Sequence, residues 1–414
     1  MAHDFVPAFP LAFSDKMRYK PAMFRKIFAF VIMEGLLMCS SGGIDPDRLH
    51  REALVADLHC DTVLRMKKGF DFSVRDTSGQ MDIPRMRQGG VDLEPFACWI
   101  PSDTPLDSCV AKVDLMLDSL YEQTGRYPDQ IAVCKSAAKA EAIVSSGRIA
   151  AFLAIENGLA IANELANLRH YFERGVRYMT LVHTASHDWC ISSADTTPAF
   201  DGVTPFGEKV VREMNRLGMI IDISHAGRSA VARVLAISSD PIIASHSCAY
   251  ALCPHDRNLS DEQIKAIAQN GGVIAINFFS GYLDYRLNAI ADSVKEEYRS
   301  EIDYIDALYP NDYGARHKAL AWLFEILDER QSKLDITIGT VIDHIEHIVK
   351  LVGPDHVGLG SDFDGVFAFP KGLNDCSKMP AITAELVRRG YSEEDIRKIL
   401  GVNFMRVFRQ VCDR

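Results

Sequence analysis

Alternation dominates this sequence. From about residue 45 onward, short β-rich apolar runs are separated by stretches whose apolar residues recur at helical spacing. Eight runs stand out, at residues 54–58, 91–97, 149–155, 178–182, 219–223, 241–245, 273–277 and 357–360. Helical patterns lie between most of them, as at 111–121, 206–217 and 229–237. A helix between two strands returns the chain to the same edge, so the strands run parallel. Eight such units predict an α/β fold, a (β/α)8 TIM-type barrel. A prior of about 150 residues per domain would divide 414 residues into two or three domains, but one barrel with insertions also reaches this length.

Local signals refine the picture. Ser260-Asp261-Glu262-Gln263 reads as a capping box opening a helix that ends near Gly271-Gly272, and Ser392-Glu393-Glu394-Asp395 opens the last helix. The glycine pair is read as a helix C-cap, since no G-x-G-x-x-G follows a strand. Residues 280–334 are too many for a simple strand-to-helix loop. Ala319, Leu320, Trp322, Leu323, Ile326 and Leu327 instead predict inserted helices near the seventh strand, over the barrel mouth. The barrel domain is thus expected over residues 44–414, with 280–334 as a helical insertion and no internal repeat.

Residues 1–43 differ in character. Lys16, Arg18, Lys20, Arg25 and Lys26 precede an apolar run, 27–38, that ends in Cys39-Ser40-Ser41-Gly42-Gly43. Basic residues, a short apolar stretch and small residues form an export-signal pattern, and Leu36-Leu37-Met38-Cys39 loosely resembles a bacterial lipoprotein cleavage box. Glu34 within the run and the large Met38 before the cut favour the other reading, a helical N-terminal extension of a cytoplasmic enzyme. Both the cell envelope and the cytoplasm stay open, and a membrane is a partner only if this segment is a lipid anchor. The run falls short of the roughly 20 apolar residues of a spanning helix, and no later segment reaches them.

Composition excludes several classes. A chain 48% hydrophobic and 24% charged is not disordered. A net charge of −11 without a basic stripe argues against nucleic acid as a partner. The ten cysteines form no C-x-x-C pair, so neither a zinc ribbon nor a thioredoxin-type motif is present, and they read as small buried hydrophobes. The oligomeric state stays open, a homodimer included.

The chemistry is written at the ends of the runs, where parallel barrels collect their ligands. The first ends in His59-Cys60-Asp61, the third in Glu156, the fourth in His183, the fifth in His225, the sixth in His246 and the eighth in Asp362. His59 and Asp61 are two apart on a strand and project to one side. Imidazole nitrogen and carboxylate oxygen both suit Zn²⁺. His225 and His246 offer a second pair of nitrogens, and Glu156 lies between the two sets in strand order, suited to bridge two ions. A bridged pair of ions brings a shared water to low pKa and polarises a carbonyl at the same time.

The motifs that carry these residues are Asp57-Leu58-His59-Cys60-Asp61-Thr62, Ala154-Ile155-Glu156-Asn157-Gly158, Tyr178-Met179-Thr180-Leu181-Val182-His183, Asp222-Ile223-Ser224-His225 and Ser245-His246-Ser247-Cys248-Ala249-Tyr250. Asp256-Arg257-Asn258-Leu259, Gly360-Ser361-Asp362-Phe363-Asp364-Gly365-Val366 and the closing Gly401-Val402-Asn403-Phe404-Met405-Arg406-Val407-Phe408 follow in order. Together they resemble the membrane (renal) dipeptidase family of zinc peptidases, within the metal-dependent amidohydrolase barrels, over about residues 46–410. The resemblance implies hydrolysis of dipeptides through a metal-bridging hydroxide. It implies two Zn²⁺ ions bridged by Glu156, one held with His59 and Asp61, the other with His225 and His246. It further implies that His183 and Arg257 contact the substrate, and that Asp362 touches it and handles protons. Asn157 stands where many relatives have glycine, and the long 280–334 stretch resembles bacterial members rather than the mammalian renal enzyme.

Two other functions compete. Cyclic-amide hydrolases and deaminases on the same barrel usually begin with H-x-H and bridge their metals with a carboxylated lysine; here the triplet is H-x-D and a glutamate takes the bridging place. A non-catalytic binding protein would be expected to have lost a ligand, and all five are present. Other titratable residues are read as bystanders. His344 and His347, at i,i+3 on a helix over 341–351, are expected to face solvent; His187 and His255 lie in loops near the rim. Asp364, on the same side as Asp362 in an extended segment, ranks second as the proton carrier.

Overall fold

Seven of the eight expected runs form laddered strands. In the computed structural model, which describes residues 43–66, 70–309, 315–316 and 319–414, these are β1 (Leu93–Trp99), β3 (Ile149–Glu156), β4 (Val176–Thr180), β5 (Ile220–Asp222), β6 (Ile243–Ala244), β7 (Val273–Asn277) and β8 (Val357–Gly360). A short strand not read from the sequence, β2 (Ile131–Cys134), pairs with the first half of β3, from Ile131↔Ile149 to Cys134↔Phe152. The N-terminal residues 1–42, with the signal or extension reading attached to them, lie outside the described residues.

All ladders are parallel and run in the order β1-β3-β4-β5-β6-β7-β8. The first expected run forms isolated bridges instead of a ladder, because it has partners on both sides for only a residue or two at a time. Ala56 and Cys60 bridge Leu93 and Phe96 of β1, while Asp57 bridges Leu359 of β8 and Cys60 bridges Phe363 just beyond it. Both ends of the strand order therefore meet on residues 56–60, consistent with a TIM-type barrel.

Alternate strand residues make the central core: Ala56, Leu58, Leu93, Phe152, Ala154, Tyr178, Ile220, Ile243, Val273 and Ala275. Phe404, Met405, Val407, Phe408 and Val411 of the last helix close it from below. Ser392 caps this helix through the Asp395 N–H, as expected, but the helix is not uniform. Glu393–Arg397 runs into a wide π turn, Lys398–Val402, before Asn403–Cys412. The wide turn leaves the Leu400 carbonyl free to accept the Ala56 N–H at 2.8 Å. Phe408 meets Phe152 edge-on with ring centroids 4.7 Å apart, so truncating Phe408 to Ala would cost about 3–5 kcal/mol.

After β7 the described residues include the helices Ser280–Leu283, Tyr285–Glu297, Arg299–Leu308 and Ala321–Gln331. Val294, Leu323 and Leu327 bury a small core of their own, and Gln331 bonds to Ser280 Oγ and to the Phe369 carbonyl in the loop after β8. The helix expected at 341–351 spans Ile338–Val352, but its histidines are not a solvent-facing pair. His344 is buried: its Nδ1 accepts the Ala249 N–H and its Nε2–H donates to the Leu283 carbonyl. That face of the helix packs on the segments after β6 and β7, which sequence spacing alone does not reveal. His347 pairs with Asp261 at 2.8 Å. Among the described residues no helix is long and apolar enough to cross a membrane.

Candidate metal centre

The strand ends deliver their side chains to one place. Glu156 ends β3, His183 and His225 lie three residues beyond β4 and β5, His246 two beyond β6, and Asp362 two beyond β8. Reaching the centre bends the backbone: His225 (φ 68°) and Asp362 (φ 65°) both sit in the left-handed region. Such conformations are disfavoured for residues with a Cβ and concentrate at functional sites.

Glu156 is the hub. Its Oε2 lies 3.5 Å from His59 Nε2, and its Oε1 lies 3.1 Å from His225 Nε2, 3.5 Å from His246 Nε2 and 3.8 Å from His183 Nε2. Asp61 Oδ2 is 3.7 Å from His59 Nε2, and the Nε2 atoms of His225 and His246 are 3.0 Å apart. Charge-assisted hydrogen bonds would draw most of these pairs to about 2.7–2.9 Å. Two donors about 2.1 Å from a shared tetrahedral ion lie about 3.4 Å apart. The observed spacing is that of ligands around an ion. Atoms able to hold one cluster as His59, Glu156 and His246, as Glu156, His183 and His225, and as His59, Asp61 and Asp362. All five sequence-expected ligands converge, but the clusters divide them differently from the expected sets and draw in His183 and Asp362.

Hydrogen bonding fixes how His59 presents itself. The Tyr178 hydroxyl donates to the Leu58 carbonyl at 3.1 Å, so its oxygen accepts from His59 Nδ1 at 2.9 Å. Nδ1 then carries a hydrogen, and Nε2 is turned toward Glu156 and Asp61. That Nε2 and Asp61 Oδ1 are fully buried with no hydrogen-bond partner. A buried polar atom without a partner costs about 1–3 kcal/mol, which a coordinated cation removes. The donor set of imidazole nitrogen and carboxylate oxygen fits zinc.

Electrostatics agrees. Burial alone would raise the Glu156 carboxyl, but His59 and His183 outweigh it and hold it well below the usual carboxylate range. Burial, then the Glu156 charge, pushes Asp61 up to about 7. Burial and the nearby Arg257 charge push the His225 and His183 imidazoles down; burial and His59 do the same to His246. The site demands positive charge between its carboxylates and keeps most of its imidazoles free of protons, the state in which they ligate metal.

Three further residues edge this centre. Arg257 is buried, with Nη2 donating to the His246 carbonyl at 3.1 Å, Nη1 to Ser247 Oγ at 3.4 Å, and Cζ 5.3 Å from the centre of the Tyr282 ring. Its Nε has no partner, and among the described residues no carboxylate pairs with it. His183 is the most exposed imidazole of the cluster, with 17% of its side chain accessible, and lies edge-on to Trp99. Asp362 Oδ2 accepts from Asn277 Nδ2 at 2.8 Å, and Asn277 Oδ1 in turn accepts the Phe279 N–H. Asn277 ends β7, which, like the run at 91–97, carries no His, Asp or Glu at its end, so the strand-end pattern does not single it out.

Asp364 does not share the centre. Its carboxylate takes Arg65 at 3.1 Å, the Thr62 hydroxyl at 2.7 Å and the Gln80 N–H at 2.7 Å, which removes it as a proton carrier. His187 Nε2 donates to the Leu181 carbonyl, and His255 Nδ1 accepts the Arg257 N–H. Both rings serve the loops that carry them.

A parallel α/β sheet with histidines and carboxylates converging on its rim at coordination spacing, His59 Nε2 and Asp61 Oδ1 without partners, defines a metal-dependent hydrolase architecture. The chain is 31% identical over 373 residues to dipeptidase 3 of Rattus norvegicus and 30% identical to that of Mus musculus. These matches cover 88% of this chain but 66% and 65% of the relatives, so the chain spans just under two thirds of their length. Among solved structures it is similar to the probable dipeptidase PvdM from Pseudomonas aeruginosa, with a TM-score of 0.75 and 28% identity over 89% of this chain and 98% of that one. The fold also matches a metallopeptidase from Rhodobacter sphaeroides, at a TM-score of 0.70 and 24% identity, over 87% of this chain and all of that one. The chain belongs to the membrane dipeptidase family, peptidase family M19, whose model matches residues 45–413.

Proposed function

We propose that this chain is a zinc-dependent dipeptidase built on a closed (β/α)8 barrel over residues 44–414, with 280–334 as a helical insertion and 1–43 as an extension or signal. The observation that carries the reading is the buried ring of imidazole and carboxylate atoms around Glu156, 3.0–3.8 Å apart, beside a buried guanidinium with no carboxylate partner among the described residues. His59, Asp61 and Glu156 would hold one Zn²⁺, and Glu156, His225 and His246 the other. When bound, the ions polarise the scissile carbonyl and lower the pKa of the attacking water.

The chain's own residues do the rest. Arg257 offers its planar fork to the free C-terminal carboxylate of a dipeptide, a match that a lysine does not copy. Recognition of a free carboxylate on the residue next to the scissile bond selects dipeptides over longer chains. His183, partly accessible at the edge, donates a hydrogen bond to the carbonyl oxygen as negative charge develops there. Asp362, held at Oδ2 by Asn277, takes one proton from the water and returns it to the amine nitrogen as the carbon–nitrogen bond breaks. The water's oxygen stays on the acyl carbon, so the products are two free amino acids.

The test is hydrolysis of a panel of L,L- and L,D-dipeptides by metal-replete protein, with product analysis. Release of two amino acids, abolished by chelation and restored by Zn²⁺, is expected. Turnover that persists in metal-free protein, or activity confined to cyclic amides, would overturn the reading.

A further inference from the structure

Asp222, the last residue of β5, is a buried carboxylate that the reaction outlined above does not use. Four donors converge on it. Oδ1 accepts the N–H of Ser224 at 3.0 Å and of Ser245 at 2.9 Å. Oδ2 accepts the hydroxyls of Thr180 at 2.5 Å and Ser245 at 2.6 Å. The first contact shapes the turn that throws His225 inward, and the second pins the segment leading into His246. Ser224 Oγ adds to this by accepting the His246 N–H at 3.1 Å, and it lies 3.3 Å from Ser245 Oγ.

The hydroxyl of Ser245 passes the constraint onward. Two oxygens 2.6 Å apart need a hydrogen between them, and the only hydrogen available between Ser245 Oγ and Asp222 Oδ2 is the serine's own. Ser245 Oγ also lies 2.7 Å from His246 Nδ1. With its hydrogen already given to Asp222, the serine can only accept there, so Nδ1 supplies the hydrogen. The opposite nitrogen, Nε2, is left with a bare lone pair facing Glu156 and His225. Asp222 therefore decides, through Ser245, which nitrogen of His246 is free.

We infer that Asp222 is a positioning residue for one of the two ions: it holds the His225 turn and, through the Ser245 hydroxyl, locks His246 in the tautomer able to ligate. The inference rests on the dinuclear reading given above. Substitution by the isosteric amide makes the consequence sharp. In Asp222→Asn the backbone N–H groups of Ser224 and Ser245 still require an oxygen at the Oδ1 position, so the new amide NH2 occupies the Oδ2 position. It donates to Ser245 Oγ, the serine hydrogen turns to His246 Nδ1, and Nε2 becomes protonated. A protonated nitrogen has no lone pair for a cation. The shape of the site is unchanged while one ligand is lost, the wrong-tautomer effect known from serine-protease triads.

The experiment is competition for Zn²⁺ between the full chain and a chelator of known affinity. Wild type is expected to hold two ions. Outer partners of ligating histidines typically contribute 10–100-fold in metal affinity, so Ser245→Ala should weaken one of the two ions by about that factor. Asp222→Asn should weaken it at least as much, and the second ion should be held as before. Ser245→Thr keeps the hydroxyl and should restore wild-type binding, which a change in packing alone would not do. Wild-type affinity for both ions in Ser245→Ala and Asp222→Asn would overturn the inference, as would equal losses in Ser245→Ala and Ser245→Thr. Should Asp222→Asn not fold, the alanine–threonine pair at Ser245 decides by itself. A wild-type chain that takes up no zinc would instead overturn the dinuclear reading, an outcome separable from unchanged affinity in the variants.

Discussion

Arg257 is where substrate recognition can be measured most directly. The residue is 5% exposed, and its guanidinium is anchored on the His246 carbonyl and Ser247 Oγ and faces no carboxylate among the described residues. A buried charge left without a partner is costly, so an incoming carboxylate gains more here than at a surface. At about 4 Å and an effective dielectric near 20, two unit charges attract by about 4 kcal/mol. Removing one partner of a buried hydrogen-bonded charge pair typically costs about 2–5 kcal/mol. Arg257→Met should therefore lower kcat/KM for a dipeptide by about 30- to 5,000-fold. Arg257→Lys keeps the charge but loses the fork, one charged hydrogen bond of about 1.5–3 kcal/mol, or about 10- to 150-fold. Removing the partner on the substrate side, with a C-terminally amidated dipeptide, should harm the wild type by a similar factor. The two losses must not add, because they delete the same contact. The assay is kcat/KM for four combinations, wild type and Arg257→Lys against free and amidated dipeptide, with zinc content measured in each protein. Strict additivity at full zinc occupancy, or equal wild-type activity on amidated substrate, would refute the assignment.

Three more outcomes are expected. Glu156→Gln removes the bridge between the two sets of ligands and should leave at most one tightly held ion by metal analysis; retention of two would show that the bridge is not Glu156. Asp362→Asn should lower turnover by about 10²–10⁴-fold, the usual contribution of a general acid–base group, with both ions still bound. Loss of zinc in that variant would instead mark Asp362 as a ligand, in keeping with its place beside His59 and Asp61. His344 is pushed down to about 4 by burial, so between pH 6.5 and 4 the unfolded chain takes up a proton that the folded chain refuses. Stability then falls as pH drops through that window, by about 3 kcal/mol in all. Urea unfolding should show a loss over this window that is smaller by about that amount in His344→Gln, which keeps a donor and an acceptor, than in the wild type; parallel pH profiles would contradict it.

Much of this architecture can be read from residue order, and the exceptions have physical causes. Strand periodicity and the convention that parallel sheets bind ligands at their C-terminal edge were enough to gather His59, Asp61, Glu156, His183, His225, His246 and Asp362. Asn277 obeys the same strand-end rule but carries no titratable group, so nothing drew attention to it. Tyr178 reads as core, and it is core; only the need of a buried hydroxyl for partners hints at its hold on His59. Asp364 misleads because alternation assumes extended backbone. The positive φ of Asp362 and of Asp364 (65° and 66°) breaks that alternation and turns the second carboxylate toward Arg65. β2 escaped because four residues paired along one strand leave little periodic signal. The burial of His344 depends on loops that sequence spacing cannot place.

The meeting of the two ends of the strand order on residues 56–60 also sets a timetable. Leu58 N–H needs the Leu359 carbonyl and Ala56 N–H needs that of Leu400, while the Asp57 carboxylate waits for the Ser361 N–H, 304 residues further along. At about 5–20 residues per second, a ribosome takes about 15–60 s to cover that distance. Throughout that interval His59 and Asp61 hang on a strand with one neighbour missing. The nascent chain carries histidines and carboxylates without the geometry that makes them a site. On the proposed dizinc reading, the full set of ligands comes together only once Leu359, Ser361 and Leu400 have been made and the last helix has seated.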